Sequence, residues 1–315
     1  MKLFYIILFF SITGLAQTPQ DLYKESINYF EQKKYDLAIK SVNKAINKSK
    51  SSVEDFFILK YKIHLKNKDF GLLKKTLDQA LKHFPNSNIL LLERMELCNL
   101  TNDFKQSEID MIKLMQLNEK YRSQDNFLKL AGILFKKRSF NRSFEIVKSI
   151  LKNDPTNFHA LNLLGSILCE KKDYTKSLEI FNSILELDVE NVSVNIGYVY
   201  QKINNNEKAM KYFEKSLSIN KKNPFALSNL AKSKLAIGKI DEALELINKS
   251  IQILPNNPYA FRVRGNIYLK KHQKEKACFD FVVAKELGYD EQYQDSIFDV
   301  LPEECKALFF QSIKK

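Results

Sequence analysis

The fold is decided by two consecutive stretches of the chain, PFALSNLAKSKLAIGKIDEALELINKSIQILPNN at residues 224–257 and PYAFRVRGNIYLKKHQKEKACFDFVVAKELGYD at residues 258–290. Written one beneath the other, they place Ala231 on Gly265, 34 residues apart, and a second pair of small residues keeps the same spacing. A fixed period of this length predicts a repeat architecture, in which each repeat is one small unit of secondary structure that stacks on the next.

Each repeat carries the pattern of two amphipathic helices. In the first stretch, apolar residues recur at intervals of three and four from Leu227 to Leu235 and again from Ala243 to Ile251, which is the spacing of one helix face. All seven prolines fall near the ends of the proposed repeats or beyond the last one, where the missing N–H and the fixed φ do not interrupt a helix. Because two helices cannot bury their apolar faces alone, we expect consecutive pairs to stack.

The same frame extends backwards through eight repeats that occupy residues 17–291. It is clearest from Phe158 onward and weakest between residues 54 and 123, where Tyr61 and Met95 stand at positions that are small elsewhere. We expect altered helix spacing there. Residues 292–315 depart from the repeat and are predicted to form a C-terminal capping helix. The predicted repeats lie near residues 19–53, 54–87, 88–123, 124–157, 158–189, 190–223, 224–257 and 258–291.

The period of 34, a small residue within the first helix, an aromatic residue three positions later and a small residue early in the second helix resemble the tetratricopeptide repeat. The resemblance implies an all-α, right-handed superhelical solenoid of about eight helix-turn-helix repeats. It also implies that the first helices line the concave side. The small residues expected where two helices approach closely in the clearest repeats are Gly165, Gly197, Ala209, Ala231, Ala243, Gly265 and Ala277.

Catalytic and metal-binding motifs are absent from the sequence. The four histidines show no H-E-x-x-H pattern and no pairing with cysteine at ligand spacing, and the eight glycines are scattered singly, so neither a dinucleotide fingerprint nor a phosphate loop is present. We therefore expect no catalytic residues, no metal, no cofactor and no small-molecule substrate. The resemblance likewise implies a non-catalytic scaffold that binds a peptide or protein.

Polar side chains on the first helices are the candidates for such a site. Amides donate and accept hydrogen bonds at once and can hold an extended peptide by its backbone. A carboxylate clamp is the alternative, in which Arg262 and Asn266, one turn apart, act near Lys232. We expect alanine at Asn229, Arg262 and Asn266 together to weaken partner binding and to leave thermal unfolding nearly unchanged. The candidates are Asn162, Asn195, Tyr198, Gln201, Asn229, Lys232, Arg262 and Asn266.

The chain opens with the segment MKLFYIILFFSITGLAQ. One lysine, an apolar run from Leu3 to Ile12, and small residues at positions 14 and 16 predict a signal peptide over residues 1–16, cleaved before Gln17. An uncleaved anchor is the alternative. We expect an exported protein in the periplasm or cell envelope of a bacterium, which argues against a nucleic acid partner.

The formal net charge of +13 is concentrated between residues 17 and 157. It could attract acidic proteins or anionic lipids, or it could be a solvated lysine-rich surface. Peripheral membrane contact through this basic half, as part of an envelope-assembly or secretion accessory, is therefore the alternative function. A sensor that acts through a separate output chain is a third possibility.

Four cysteines are too few for a disulfide-built scaffold. Each is expected to be a small buried apolar residue. Cys278 and Cys305 are the one pair that the sequence suggests testing for a disulfide, and the sequence leaves that question open.

Overall fold

The computed structural model describes residues 17–290 and Cys305. The predicted signal peptide, residues 1–16, therefore lies outside the described residues, as does the predicted capping helix over residues 292–315 apart from that one cysteine. Between Gln17 and Asp290, no helix combines the length and the apolar character needed to cross a membrane.

Residues 17–290 form sixteen α-helices in eight consecutive pairs and contain no strand. The predicted all-α class and the repeated helix pair are confirmed. Single turns of 3₁₀ helix lie at Glu119–Tyr121 and Leu185–Leu187. The helices are α1 (Pro19–Glu31), α2 (Tyr35–Lys48), α3 (Glu54–Asn67), α4 (Phe70–His83), α5 (Asn88–Leu100), α6 (Phe104–Leu117), α7 (Gln124–Lys136), α8 (Phe140–Asn153), α9 (Phe158–Glu170), α10 (Tyr174–Ile184), α11 (Val189–Lys202), α12 (Asn206–Ile219), α13 (Pro224–Ala236), α14 (Ile240–Ile253), α15 (Pro258–Lys270) and α16 (Lys274–Glu286).

The chain divides into two compact units, one ending at Cys98 and the other beginning at Asn99. The core of the first unit is built where Leu22 and Val42 of the first pair meet Phe56 of α3. Tyr61, which replaces the usual small residue, is buried. Burial and a hydrogen bond with Glu93 raise its pKa, so the bulky side chain is accommodated as a neutral phenol.

In the second unit, each helix packs on the next, and first helices of neighbouring pairs also touch, namely α9 with α11, α11 with α13, and α13 with α15. The small residues lie where paired helices come closest. A Cβ added at Gly265 would lie 2.7 Å from Cε1 of Phe281, and Gly165 and Gly197 have the same relation to their own phenylalanines. The four predicted small alanines, at 209, 231, 243 and 277, are completely buried.

A hydroxyl reinforces this close approach where the second helix carries serine in place of alanine. Ser177 Oγ donates to the carbonyl oxygen of Gly165 at 2.7 Å, and Ser143 Oγ donates to that of Ala131 at the same distance. Each bond is buried and joins the two helices of one pair, so it satisfies a polar group that the tight packing would otherwise isolate.

The turn inside every helix pair contains one residue in the left-handed region. Only one of these eight residues is glycine, although glycine alone adopts this conformation without a steric cost. The residues are Lys33, Lys68, Asn102, Arg138, Lys172, Asn204, Gly238 and His272.

Cys278 and Cys305 form a disulfide, which answers the question that the sequence left open. Both residues are buried in a cluster with Phe261 and Phe281. Cys98 and Cys169 are also buried, as expected for small apolar side chains.

Candidate functional site

A cavity of about 330 Å³ in the second unit is formed by five consecutive first helices. The helices α7, α9, α11, α13 and α15 contribute, among others, Phe135, Cys169, Val194, Phe225 and Tyr259 respectively. A volume of this size is at the lower end for small-molecule sites. It suits one or two side chains of an extended ligand better than a large cofactor.

The apolar wall of the cavity includes aromatic side chains from several repeats. Phe140 and Phe181 contribute from second helices, while Phe225 and Tyr259 contribute from the starts of two successive first helices. Phe225 is 53% exposed although it is large and apolar. An apolar side chain placed beside it would remove that surface from water, which is favourable at roughly 25 cal/mol per Å².

Glu170 is the centre of the polar wall. Its Oε1 accepts a hydrogen bond from the Tyr198 hydroxyl at 3.0 Å, and its Oε2 accepts one from Arg138 Nη2 at 3.2 Å. Lys202 Nζ lies 3.8 Å from Oε1. Burial, together with the charge of Glu170, raises the pKa of Tyr198, so the phenol stays protonated and donates. Two cations therefore surround one carboxylate.

Side-chain amides connect neighbouring first helices beside the cavity. Asn195 Nδ2 donates to Asn162 Oδ1 at 2.8 Å and so joins α11 to α9. Among residues 17–290 and 305, no hydrogen bond is made by Asn162 Nδ2 or by Asn195 Oδ1. One donor and one acceptor thus remain, which is the complement of a peptide group.

Asn229 and Gln201 act mainly inside the protein. Asn229 Oδ1 accepts from the Tyr259 hydroxyl at 3.0 Å, and Asn229 Nδ2 donates to the Phe225 carbonyl at 2.9 Å. Gln201 Nε2 donates to the Asn229 carbonyl at 2.7 Å and to Ser233 Oγ at 2.8 Å. Gln201 is buried, so it connects α11 to α13 and is not presented to a ligand.

The eight predicted site residues therefore separate into groups. Asn195, Tyr198 and Asn229 line the cavity, and Asn162 joins it through Asn195. Lys232 is exposed, with Nζ 5.9 Å from the ring centre of Tyr259. The remaining three lie away from the cavity lining: Gln201, which is buried; Arg262, which stacks on Tyr289; and Asn266, which is half-buried.

One part of the sequence-based expectation needs correction. Asn229 is 9% exposed and joins α13 to α15, so its replacement by alanine cannot be neutral for stability. Removing one partner of buried hydrogen bonds costs about 1–3 kcal/mol. The triple alanine change at positions 229, 262 and 266 would therefore confound loss of binding with loss of stability.

Sequence reasoning missed four residues that define the cavity. Phe225 and Tyr259 each follow the first proline of a helix and lie 34 residues apart, so this repeated aromatic position was a usable signal. Glu170 is the last residue of α9 and Arg138 lies in the turn after α7, where charged residues are ordinary. Nothing in the sequence shows that these two charges meet.

No group of three or more His, Cys, Asp or Glu side chains that could hold a metal ion occurs in the part of the chain that the structure describes. The polar groups of the cavity lining are instead three amides, the phenols of Tyr198 and Tyr259, the hydroxyl of Ser166, the thiol of Cys169, two cations and one carboxylate that pairs with one of these cations. Such a set can form hydrogen bonds to a ligand, and no activated nucleophile is evident among the contacts described above.

The geometry defines a helix-pair repeat protein with a cavity between its first helices. A family model for the tetratricopeptide repeat matches residues 204–267, and sixteen helices continue the same pairing on both sides of that segment. This segment of the chain is similar to the tetratricopeptide repeat family. Comparison with curated protein sequences gave no match.

Several solved structures are similar to the chain. A tetratricopeptide repeat protein from Parabacteroides merdae ATCC 43184 is 16% identical, with a TM-score of 0.47, over 91% of this chain and 98% of that one. The protein TTC0263 of Thermus thermophilus is 13% identical, with a TM-score of 0.49, over 61% and 100%. YrrB, described as having an unusual peptide-binding site, is 21% identical, with a TM-score of 0.36, over 57% and 93%.

Proposed function

We propose that the protein is a non-catalytic scaffold that binds an extended segment of a partner protein along helices α7 to α15. The observation that carries this proposal is the cavity, because five consecutive first helices build it. An extended ligand that follows the stack would contact each of these helices in turn. Tetratricopeptide repeat proteins are generally scaffolds of this kind, and their repeats generally mediate protein or peptide binding.

The chemistry of the cavity indicates what the bound segment offers. An apolar side chain would pack against Phe225 and Val194, with Tyr259 at the side. The backbone next to it would exchange hydrogen bonds with Asn162 Nδ2 and Asn195 Oδ1, which gives affinity with little dependence on sequence. The proposal therefore predicts an extended segment with one large apolar anchor.

Export is the second part of the proposal. The signal-peptide pattern of residues 1–16 motivates it, and the disulfide between Cys278 and Cys305 supports it, because disulfides persist in oxidising compartments and are rare in the cytosol. We place the protein in the periplasm or envelope of a bacterium. Cleavage before Gln17 would be seen as a new N-terminus in protein purified from its native cells.

A binding experiment with matched phenylalanine variants tests the scaffold proposal. Peptides would be selected from a displayed random library against the chain beginning at Gln17, and their affinities would be measured by calorimetry. Phe225→Asp places a charge in the cavity and should weaken binding at least tenfold. Phe279→Asp is the control, since Phe279 is 65% exposed on the second helix α16 and should change affinity less than twofold.

Two outcomes would contradict the proposal. In the first, Phe225→Asp and Phe279→Asp bind the selected peptides with equal affinity. In the second, the library yields no peptide whose affinity is lowered by Phe225→Asp. Thermal unfolding of both variants shows whether the fold survives each change. Because both side chains are already exposed, we expect melting temperatures close to that of the unchanged protein.

The alternative is an envelope-assembly or secretion accessory that acts at a membrane surface through the basic first half of the chain. The concentration of the formal net charge of +13 between residues 17 and 157 motivates this alternative.

A further inference from the structure

The turns inside the helix pairs of the second unit lie at the C-terminal ends of the first helices, and several of them are in contact. Lys136 Nζ donates to Asn99 Oδ1, near the end of α5, at 3.1 Å, and Arg138 and Lys202 both reach Glu170 of the turn between theirs. We define the turn edge as the left-handed residue of each turn and the two residues before it. It comprises residues 100–102, 136–138, 170–172, 202–204, 236–238 and 270–272.

The turn edge is strongly basic, whereas the loops at the other ends of the helices are neutral. A single acidic residue, Glu170, belongs to the edge. The loops between pairs, residues 118–123, 154–157, 185–188, 220–223 and 254–257, contain four cations and four acids. The eight cations of the turn edge are Lys136, Lys137, Arg138, Lys171, Lys172, Lys202, Lys270 and Lys271.

Half of these cations are already paired within the protein. Lys137 contacts Glu108 at 2.6 Å and Lys271 contacts Asp241 at 2.5 Å, while Arg138 and Lys202 share Glu170. The other four make no ion pair with any residue between 17 and 290, and all four are exposed. They are Lys136, Lys171, Lys172 and Lys270. The excess positive charge of the edge is therefore available to an external partner.

Exposed aliphatic side chains lie in the same turns. Leu100 is 80% exposed, Ile203 is 41% exposed and Ile237 is 44% exposed. The turn-edge residues include no Phe, Tyr or Trp, and His272 is their one aromatic side chain, so a row of rings on which successive nucleic acid bases could stack is missing from this surface. Lysines interspersed with exposed aliphatic residues are the combination that binds at the headgroup level of anionic lipids.

We infer that the turn edge of the second unit docks on an anionic lipid surface. The lysines contact phosphate headgroups, and Leu100, Ile203 and Ile237 enter the boundary between headgroups and acyl chains. This surface lies at the C-terminal ends of the first helices. It shares Lys136, Arg138 and Glu170 with the cavity lining, whereas Lys171, Lys172 and Lys270 lie outside that lining. Charge complementarity favours an anionic lipid as the partner of the basic turn edge. The loops at the opposite ends of the helices carry no net charge and would not attract such a lipid.

Vesicle co-sedimentation with two charge-matched variants tests the inference. The chain beginning at Gln17 avoids the apolar run of residues 3–12, and the vesicles contain either phosphatidylcholine alone or a mixture with phosphatidylglycerol. In the edge variant, Lys171, Lys172 and Lys270 become Glu. In the control variant, Lys120, Lys221 and Lys222 of the opposite loops become Glu, so both proteins carry the same net charge.

We expect the unchanged chain to bind phosphatidylglycerol vesicles, to ignore phosphatidylcholine and to be released by salt. The edge variant should bind at least tenfold more weakly, on the basis of roughly a fivefold effect for each lysine near the surface. The control variant should lose less than threefold. A further variant, Ile203→Ser with Ile237→Ser, should weaken vesicle binding that remains at high salt.

Three results would overturn the inference: no binding of the unchanged chain to phosphatidylglycerol vesicles, equal losses in the edge and control variants, or edge-dependent binding of soluble polyglutamate without binding to vesicles. The last result would assign the edge to an acidic protein. Circular dichroism confirms that each variant is folded, and the edge variant should keep the affinity of the unchanged chain for selected peptides.

Discussion

At the scale of single residues, the contact between a glycine and a phenylalanine sets the spacing of the clearest helix pairs. Gly165, Gly197 and Gly265 each lie so close to a ring that an added Cβ would come within 2.8 Å of it. The ring belongs to the partner helix of the same pair and is buried. A larger side chain must therefore displace a core phenylalanine or push the helices apart.

We predict that Gly265→Leu lowers the free energy of unfolding by on the order of 1–3 kcal/mol, because it overpacks the contact with Phe281. Gly132 of α7 is the matched control, since an added Cβ there meets nothing within 4 Å. Gly132→Ala should raise stability by roughly 0.5–1 kcal/mol through the lower entropy of the unfolded chain. Urea unfolding measures both, and equal effects of the two changes would contradict the packing role.

A buried ion pair gives a second prediction at this scale. Asp280 is 1% exposed and accepts two hydrogen bonds from Arg264, from Nε at 2.7 Å and from Nη2 at 2.8 Å. Burial raises the pKa of Asp280 even though Arg264 opposes the shift. Arg264→Met removes that opposition and leaves a buried carboxylate unpaired, so we expect a loss of about 3–5 kcal/mol at pH 7.

The pH dependence of this loss has a definite sign. A carboxyl whose pKa is raised by folding is most compatible with the fold below its unfolded pKa, and the cost grows as the pH rises through the folded pKa. The deficit of Arg264→Met should therefore shrink from pH 7 toward about pH 4. The double variant Arg264→Met with Asp280→Leu should recover most of the stability and lose the pH dependence. A deficit independent of pH would contradict this assignment.

At the residue scale, the sequence indicates which positions lie on the first helices but not the direction in which each side chain turns. Asn195, Tyr198 and Asn229 were chosen from their phase on the first helices and do line the cavity. Gln201 has a comparable phase, yet its side chain turns into the contact with α13. The direction of the Gln201 side chain depends on the positions of Asn229 and Ser233 in the next first helix. The residue pattern of one helix carries no information about the positions of residues in another.

At the scale of elements, the turn inside each pair holds a residue in the left-handed region, and seven of the eight are not glycine. This conformation costs a non-glycine residue about 1–2 kcal/mol. The residue keeps this strained conformation because the two helices on either side of the turn fix the path of the backbone between them. The turns are therefore places where stability can still be gained.

We predict that Lys172→Gly, at φ 66°, stabilises the protein by roughly 0.5–1 kcal/mol, since relief of the strain exceeds the extra entropy that glycine gives the unfolded chain. Gly238→Lys is the reciprocal control and should destabilise by a similar amount, because Gly238 holds the equivalent position at φ 80°. Thermal melts decide, and opposite signs for both changes would show that the turn conformation is not the controlling factor.

Elements were more predictable than the site because they are local. The three- and four-residue periodicity and the placement of prolines report on segments of about fifteen residues, and the helix pairs appeared as expected. The cavity joins residues from Phe135 to Tyr259, and its shape depends on how five helices pack. No local sequence pattern predicts how these five helices pack, although the aromatic residues repeated at Phe225 and Tyr259 indicate two positions of the cavity wall.

At the scale of the whole molecule, the disulfide ties Cys278 of the last described pair to Cys305, 27 residues later. A crosslink of this span stabilises by roughly 3–4 kcal/mol through the unfolded state. We predict that two of the four cysteines react with an alkylating reagent in denaturant without reductant, and that all four react after reduction. Reduction should also lower the melting temperature, while a variant with serine at both bridged positions should melt at the same temperature with or without reductant.

We propose that the first helices of the second unit hold an extended segment of a partner, anchored beside Phe225. Photo-crosslinking in the cells that naturally make the protein tests this proposal, with a photoreactive phenylalanine analogue at position 225 or, as the control, at position 279. We expect adducts from position 225 that mass spectrometry maps to one extended partner segment, with none or far fewer from position 279. Adducts of equal yield from both positions, or from position 279 alone, would contradict it.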